Sequence, residues 1–495
     1  MKQKNSAAVI GSGIAGIASA LRLAAKGYDV TTYEQASMPG GKISEFHKDG
    51  FRFDTGPSLF TLPNLVDELF ELFGLQAANH FEYQKLESSC KYFWEDGTII
   101  NAWQQKEKFA KELEQNAGIP AKKLYGFLEK SKKLYDITSD IFIFNSLHRW
   151  DNIISRSFLK SLFQLHELDA FTTMHKKNQK WFSHPRITQL FDRYATYNGS
   201  NPYQTPATLN IIAHLEHNIG AFFPTKGMYS IVNSLVELAE KQGVKFIYNT
   251  PVEQIIVENK KIKALKTSKH VIPYEVVVSN IDVVNLYKNL LPTEKIPPNQ
   301  ITCQRSSSAL IFYWGINHSF PQLEVHNILF SKDYEVEFKH LFSTKTIADD
   351  PTVYIFISSK IVKEDAPTNK QNWYVMINTP ENTGQNWDEL IAQARENIIR
   401  KIKDTLDIDI KEYILFEKCT SPVTIEQDTG SYKGSLYGPS SNGPFSAFLR
   451  HANFRRKYKN LYFTGGSVHP GGGIPLCLAS AKIVGQSIGA IEKTD

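Results

Sequence analysis

Residues 7–16 read Ala7-Ala8-Val9-Ile10-Gly11-Ser12-Gly13-Ile14-Ala15-Gly16, and this stretch decides the fold. The short apolar run predicts a buried strand, and an Ala/Leu-rich helix follows to about Lys26. Between them, Gly11 permits a tight turn, Gly13 lets backbone approach a pyrophosphate, and Gly16 lets helix and strand pack closely. The start of the helix offers free N–H groups and a positive dipole end to the phosphates. A second strand, Tyr28 to Tyr33, closes at Glu34, 18 residues after Gly16. A carboxylate there can accept both hydroxyl protons of an adenosine ribose, whereas an NADP site more often places an arginine nearby. Together these features make one βαβ opening of a parallel, doubly wound sheet that binds a dinucleotide.

Outward from this unit, Gly40-Gly41-Lys42 is a further turn where backbone can approach a cofactor and a cation can reach a phosphate. From about 108 to 215 the pattern is mostly helical, with aromatic residues among basic ones. Residues 229–241 have helical spacing and stop before Gly243. Two short strands are expected next, then Val276-Val277-Val278-Ser279-Asn280. Runs at 306–316, 353–359 and 373–379 are β-branched and aromatic, which predicts an antiparallel sheet in a second domain. Asn386-Trp387-Asp388-Glu389 predicts a capped helix to about Leu406. Asn460 to Ser487 has the opening layout again: strand, glycine-rich loop, helix.

Composition removes several classes of function. The chain has 495 residues, of which 12% are aromatic, so a largely disordered protein is excluded. Cys90, Cys303, Cys419 and Cys477 form no CxxC pair, so neither a disulfide framework nor a zinc site is expected and a reducing cytosol fits. There is no apolar run of transmembrane length and no secretory leader. A net charge of +5 does not support nucleic-acid binding. The excess is uneven: residues 121–190 hold 12 Lys/Arg against 6 Asp/Glu, so an anionic surface would be met there. No GxSxG, HExxH or Cys–His nucleophile arrangement stands in the sequence, so no catalytic side chain is assigned and a cofactor carries the chemistry.

The spacing Gly11-x-Gly13-x-x-Gly16 through Ala20, Leu23, Gly27, Val30 and Glu34 to Gly40-Gly41-Lys42 resembles the extended FAD signature of the amine oxidase and carotenoid desaturase superfamily. Asp54-Thr55-Gly56-Pro57-Ser58 fits the same superfamily. Near the C-terminus, Tyr462-Phe463-Thr464-Gly465-Gly466-Ser467-Val468-His469-Pro470-Gly471-Gly472-Gly473-Ile474-Pro475 resembles the signature of bacterial and fungal phytoene-desaturase-type enzymes. Leu476-Cys477 departs from the glycine that commonly follows this proline. The resemblance implies an α/β fold: a Rossmann-type FAD-binding domain (1–90 with 216–290 and 455–495), a mixed or antiparallel-sheet substrate domain (91–120 with 291–454), and a helical lid or membrane-facing insertion (121–215). It implies FAD as cofactor, held by Gly11, Gly13, Ala15, Gly16, Glu34, Gly41, Lys42, Ser58, Leu59, Val252, Asn280, Gly466, Gly473 and Ile474.

The same resemblance implies a carotenoid substrate taken from a membrane surface, and quinone or oxygen as electron acceptor. The protein would then be cytoplasmic and peripheral to the inner face of the cell membrane. Phe142, Phe144, Trp150, Phe158, Phe163, Phe171, Trp181 and Phe182 interleave with Arg149, Arg156, Lys160, Lys176, Lys177 and Lys180, a composition suited to dipping into headgroups or to an ordinary lid core. The polar segment Arg193 to Pro202 reads either as recognition of a hydroxylated substrate end or as a bond between lid and sheet. His469 reads as a base or as an anchor of its loop. The leading expectation is desaturation of an acyclic or monocyclic, 1-hydroxylated carotenoid by hydride transfer to the flavin. The alternatives are a phytoene desaturase, a carotene cis-trans isomerase, a flavin amine oxidase and a non-catalytic carotenoid carrier.

Overall fold

Ser6–Ile10 is buried along its whole length because it is an inner strand of a six-stranded sheet. In this computed structural model, which describes residues 5–146, 148, 167–444, 446 and 450–491, the sheet runs Lys245–Ile247, Asp29–Tyr33, Ser6–Ile10, Val276–Ser279, Tyr458–Phe463, Phe454–Arg455. The first five strands are parallel, with Ala7 opposite Val276 and Ile10 opposite both Ser279 and Tyr33. Numbered along the chain their order is 3-2-1-4-5, the doubly wound arrangement. On one face, helix Ile14–Ala24 packs between Ser230–Lys241 and Ile474–Ser487 over Ala7, Val9, Val276 and Val278. On the other, Ala8, Ile10, Val277 and Phe463 are covered by the antiparallel meander Val252–Glu258, Lys261–Thr267 and Val271–Pro273.

The long connections between Tyr33 and Lys245, and between Ser279 and Tyr458, supply a second sheet of seven strands. Its order is Ile414–Thr420, Ser308–Ile316, Gln371–Thr379, Val353–Phe356, His326–Leu329, Ser88–Phe93, Ile99–Trp103. Every pairing is antiparallel except His326–Leu329 with Ser88–Phe93, so the sheet is mixed. Residue alternation gives it two different faces. Leu310, Phe312, Trp314, Val353, Ile355, Trp373 and Val375 pack with Ala394, Ile398 and Ile402 of helix Trp387–Leu406. Ile311, Tyr313, Phe356 and Tyr374 point the other way, into the core shared with the nucleotide-binding sheet.

Helix Ala121–Thr138, a π-helical turn at Ser139–Ile143, and helices Met174–Phe182 and Pro185–Asp192 form the helical insertion. Phe127, Phe182 and Phe191 hold it together, the last two stacked with centroids 4.6 Å apart. Two local expectations need correction. Four strands, not two, lie between Lys245 and Pro273. Asn386 precedes its helix but its amide donates to the Glu389 carboxylate (3.1 Å) instead of capping the backbone, since that acid lies one turn away on the same face.

Glu337 is a buried carboxyl, 3% exposed, accepting from the Ser331 and Thr352 hydroxyls, each at 2.7 Å. Burial outweighs these bonds and pushes its pKa up to about 7. A raised folded-state pKa favours the neutral acid, so this group's contribution is full below the ordinary carboxyl pKa of 4.5 and is lost as pH rises through about 7. Glu337→Gln should therefore be more stable than the parent at pH 8, by up to about 3 kcal/mol, with the advantage vanishing towards pH 4.5. Thermal denaturation of both proteins from pH 5 to 8 measures this; a pH-independent difference would contradict it.

Candidate active site

The two central strands end side by side, and their onward connections leave towards opposite sides of the sheet. Such a switch point leaves a crevice at the carboxyl ends of the strands. Gly11, at φ +92°, donates its N–H to the Tyr33 carbonyl at 2.7 Å. Asn280 donates its backbone N–H to the Ile10 carbonyl (2.8 Å) and its side-chain amide to the Thr464 carbonyl (3.1 Å), spanning three strand ends. A Cβ at Gly16 would lie 2.1 Å from the Gly11 carbonyl oxygen, and one at Gly13 would lie 2.6 Å from Asn280 Oδ1. Neither position has room for a side chain. No side chain caps helix Ile14–Ala24, so the N–H groups of its first turn, including Ala15 and Gly16, are left for an anion.

Gly40 donates its N–H to the Ser12 carbonyl (2.9 Å), and Gly41, at φ +60°, brings its missing Cβ to 3.4 Å from Gly13 Cα. The second glycine turn thus closes over the first. Glu34 is buried; its Oε2 accepts from the Ser12 N–H and hydroxyl, both at 2.8 Å, and its Oε1 from the Ala36 N–H at 2.9 Å. A carboxylate has about four acceptor positions, so it keeps capacity for a ribose hydroxyl. Thr250 donates its N–H to the Glu34 carbonyl at 2.8 Å, which sets the strand beginning at Val252 beside the acid.

The loop Gly465–Gly473 starts against Asn280, a Cβ at Gly465 falling 2.5 Å from its Nδ2, and runs from there to helix Ile474–Ser487. Gly473, at φ +96°, has nothing within 4 Å of a built Cβ, and no side chain caps the helix Ile474–Ser487 that follows. Gly466 and Gly472 pack backbone to backbone, and Tyr437 fills the space a side chain at Gly472 would need. Lys42 reaches this region as well: its ammonium donates to the Leu436 carbonyl at 2.7 Å, and burial lowers its pKa. Cys477, at the departure from the family signature, is a thiol pushed up to about 11 by burial. His469 is held near pKa 4 by burial, and its Nε2–H donates to the Asn145 carbonyl at 2.9 Å. That bond ties the glycine loop to the helical insertion.

Above this loop lies the tyrosine-bearing face of the seven-stranded sheet. Ser58 Oγ is 2.6 Å from Tyr354 OH, which is 2.7 Å from His326 Nδ1. His326 is stacked beside Phe356 and pushed down to about pKa 3 by burial; its Nε2 has no hydrogen-bond partner. Leu59, next to Ser58, packs on the shared core. Arg193 is answered within the protein: its guanidinium bonds Tyr92 OH at 2.6 Å and lies 5.0–5.2 Å from the rings of Tyr92, Tyr194 and Tyr197. Glu216 accepts from the Tyr194 and Tyr197 hydroxyls and lies 3.7 Å from Arg193. These contacts join sheet, lid and the turn His214–Ile219, which favours the structural reading of the Arg193 segment.

In the insertion, Phe182 is buried, Trp181 donates its indole N–H to the Lys123 carbonyl at 3.0 Å, and Phe142 and Phe144 are half-buried. Phe171 is 85% exposed, beside the exposed Lys176 and Lys180. Arg149, Trp150, Arg156, Phe158, Lys160 and Phe163 lie outside the described residues. Among the described residues no helix is long and apolar enough to cross a membrane. Sequence reasoning missed Tyr437, Tyr354, His326, Arg305 and Arg450, which sit in no motif and acquire their neighbours only through long-range pairing.

A doubly wound sheet with two glycine turns at its switch point, a buried acid at the end of the second strand and a glycine-rich loop after the fifth defines an FAD-dependent oxidoreductase. Residues 14–488 match the flavin containing amine oxidoreductase family, and the chain belongs to it. It is 47% identical over 482 residues to a 1-hydroxycarotenoid 3,4-desaturase of Flavobacterium sp. strain P99-3, covering 97% of this chain and 98% of that protein. It is 30% identical to a phytoene desaturase of Fusarium fujikuroi, over 98% of this chain and 89% of the other. Among solved structures, the cyclohexylamine oxidase of Brevibacterium oxydans IH-35A superposes with TM-score 0.63 at 13% identity, over 98% of each chain. The uncapped helix, the glycines that exclude a Cβ and the acid with spare acceptor capacity all fit FAD.

Two substitutions test the crevice. Gly16→Val must displace backbone and should abolish bound flavin. Glu34→Gln removes a charge-assisted acceptor, a loss of about 1.5–3 kcal/mol, and should weaken FAD at least tenfold while leaving the fold intact. Flavin absorbance and fluorescence titration read both; unchanged affinity in Glu34→Gln would contradict the ribose assignment.

Proposed function

We propose that this chain is an FAD-dependent carotenoid desaturase that introduces a C=C bond into an acyclic or monocyclic carotenoid carrying a 1-hydroxyl group. The observation that supports this most is the 47% identity, over nearly both full lengths, to a 1-hydroxycarotenoid 3,4-desaturase. Bound FAD supplies the acceptor for a hydride from an allylic C–H, with a proton lost from the adjacent carbon. Gly11, Gly13, Ala15, Gly16, Glu34, Gly41 and Val252 hold its adenosine and diphosphate, Lys42 reaches a phosphate, Gly466, Gly473 and Ile474 line the phosphate or flavin side, and Ser58, Leu59 and Asn280 complete the site. Quinone or oxygen reoxidises it.

The three-part division of the chain, with the substrate part at 91–120 and 291–454, fits this role. That sheet's tyrosine face and the helical lid exclude water and lay out the polyene. Burial holds His326 and His469 neutral and weakly basic, so a conjugated substrate that stabilises its own developing cation suits this site. A 1-hydroxyl lies two carbons from C3, so whatever reads it stands beside the reacting bond. The chain Ser58–Tyr354–His326, ending on an unpartnered Nε2, supplies such a group. The basic insertion with exposed Phe171 supports peripheral contact with the inner face of the cell membrane as the route of entry.

The enzyme, supplied separately with phytoene, lycopene and 1-hydroxylated carotenoids, should give a product two hydrogens lighter from the hydroxylated forms and leave phytoene unchanged. Stepwise conversion of phytoene would move the assignment to the phytoene desaturase, and changed absorbance at constant mass would make it an isomerase. His326→Phe should lower the preference for hydroxylated over unhydroxylated substrate about tenfold, the worth of one buried hydrogen bond. An unchanged preference would remove His326 from recognition.

A further inference from the structure

Two arginines beneath the C-terminal glycine loop are buried without an acid. Arg450 is 3% exposed and Arg305 is 2% exposed. Arg450 donates through Nη1 to the carbonyls of Tyr437 (2.9 Å) and Gly466 (3.2 Å), and through Nη2 to that of Pro439 (2.7 Å). Its Nε has no partner, and a Cβ at Gly471 would sit 3.3 Å from its Cζ. Arg305 donates only to the Gln300 carbonyl (3.0 Å), leaves Nε and Nη1 unpartnered, and lies over the Tyr432 ring at 4.7 Å. It is tied to the same turn, since its backbone bridges to Pro439. Among the described residues neither forms an ion pair.

Carbonyls solvate a guanidinium but do not cancel its charge, and a buried cation with no counter-ion is costly. The surroundings add to the imbalance. Helix Ile474–Ser487 starts uncapped at this loop, and the Lys42 ammonium rests on the Leu436 carbonyl. Asp282, whose field reaches Lys42, caps its own turn by accepting from the Val284 N–H. The diphosphate already has its cradle at the other helix, Ile14–Ala24. What this end lacks is a ligand group that becomes negative during turnover.

We infer that Arg450, seconded by Arg305, is the fixed positive charge that biases FAD bound at the glycine loop towards its reduced form. Acceptance of a hydride brings two electrons and one proton, so the cofactor gains one negative charge while the second proton of the desaturation leaves to solvent. A cation preset in a water-poor site favours that charge without reorganising. Arg450 is a positioning residue in this sense: it acts through the field and through the carbonyls it clamps. The inference rests on the FAD assignment above.

The test is the midpoint potential of protein-bound FAD, with FAD stoichiometry and affinity measured on the same samples. Arg450→Gln should lower the potential by at least about 30 mV, a tenfold change in the two-electron equilibrium. Arg450→Lys should recover most of that shift, and Arg305→Gln, one layer further from the loop, should lower the potential by less. An unchanged potential in Arg450→Gln, or weakened FAD binding with unchanged potential, overturns the inference. Where Arg450→Gln fails to hold FAD, Arg305→Gln decides, and no shift there overturns it. A parent protein that binds no FAD would instead sink the cofactor assignment, which keeps the two failures apart.

Discussion

The close backbone approach between the first strand and the first helix governs the rest of the molecule. Gly16 stands so near the Gly11 carbonyl that a methyl group would fall 2.1 Å from it, and Asn280 of the neighbouring strand fills the space beside Gly13. This contact lets the first helix start directly over two parallel strands. It fixes where an uncapped N-terminus points and where the strand ends part company. Because the third and fifth strands arrive only after long excursions of chain, everything built in those excursions is delivered to the rim of one crevice. The mixed sheet and the lid are therefore additions hung on a five-strand frame.

The two faces of the seven-stranded sheet follow from strand alternation. One set of side chains, from Leu310 to Ile377, meets helix Trp387–Leu406 and is mostly apolar, with the Trp314 indole N–H donating to Glu417. The other carries Tyr313, Tyr354, Tyr374 and His326, whose polar tips are few and spaced along an aromatic surface. A long apolar ligand with one polar end suits such a face: most of its length meets rings, and its end meets one unpartnered nitrogen. Burial keeps this face uncharged, as the depressed basicity of His326 shows. Lys42, Arg305 and Arg450 carry positive charge around the glycine loop, whereas the Arg193 guanidinium on Tyr92 is balanced by Glu216.

What could be read in the sequence was what is local. Gly11, Gly13, Gly16 and Glu34 lie within one βαβ unit, and their spacing carries the physical constraint. The helix ending at Lys241 announced itself by its periodicity and its stop at Gly243, and the one ending at Leu406 by the polar run Asn386-Trp387-Asp388-Glu389 at its start. The C-terminal loop was legible because three consecutive glycines have few uses. By contrast, Arg450 gains its meaning from Tyr437, Pro439 and Gly466, and His326 from Tyr354 and Ser58. Those partners lie on other strands and loops, and no local spacing encodes them. The parallel pairing of His326–Leu329 with Ser88–Phe93 was invisible for the same reason. The aromatic residues of the insertion were ambiguous because a lid core and a membrane face use the same residue types; in the fold Phe182 is buried and Phe171 is exposed.

In the proposed reaction, FAD in the crevice takes a hydride from a carotenoid laid on the tyrosine face. Anaerobic mixing of the FAD-loaded protein with one equivalent of a 1-hydroxylated carotenoid tests it in a single turnover. The flavin band should bleach in proportion to a product lighter by two hydrogens. Product of lower mass without flavin bleaching, or no reaction in protein that carries a full complement of FAD, would contradict it.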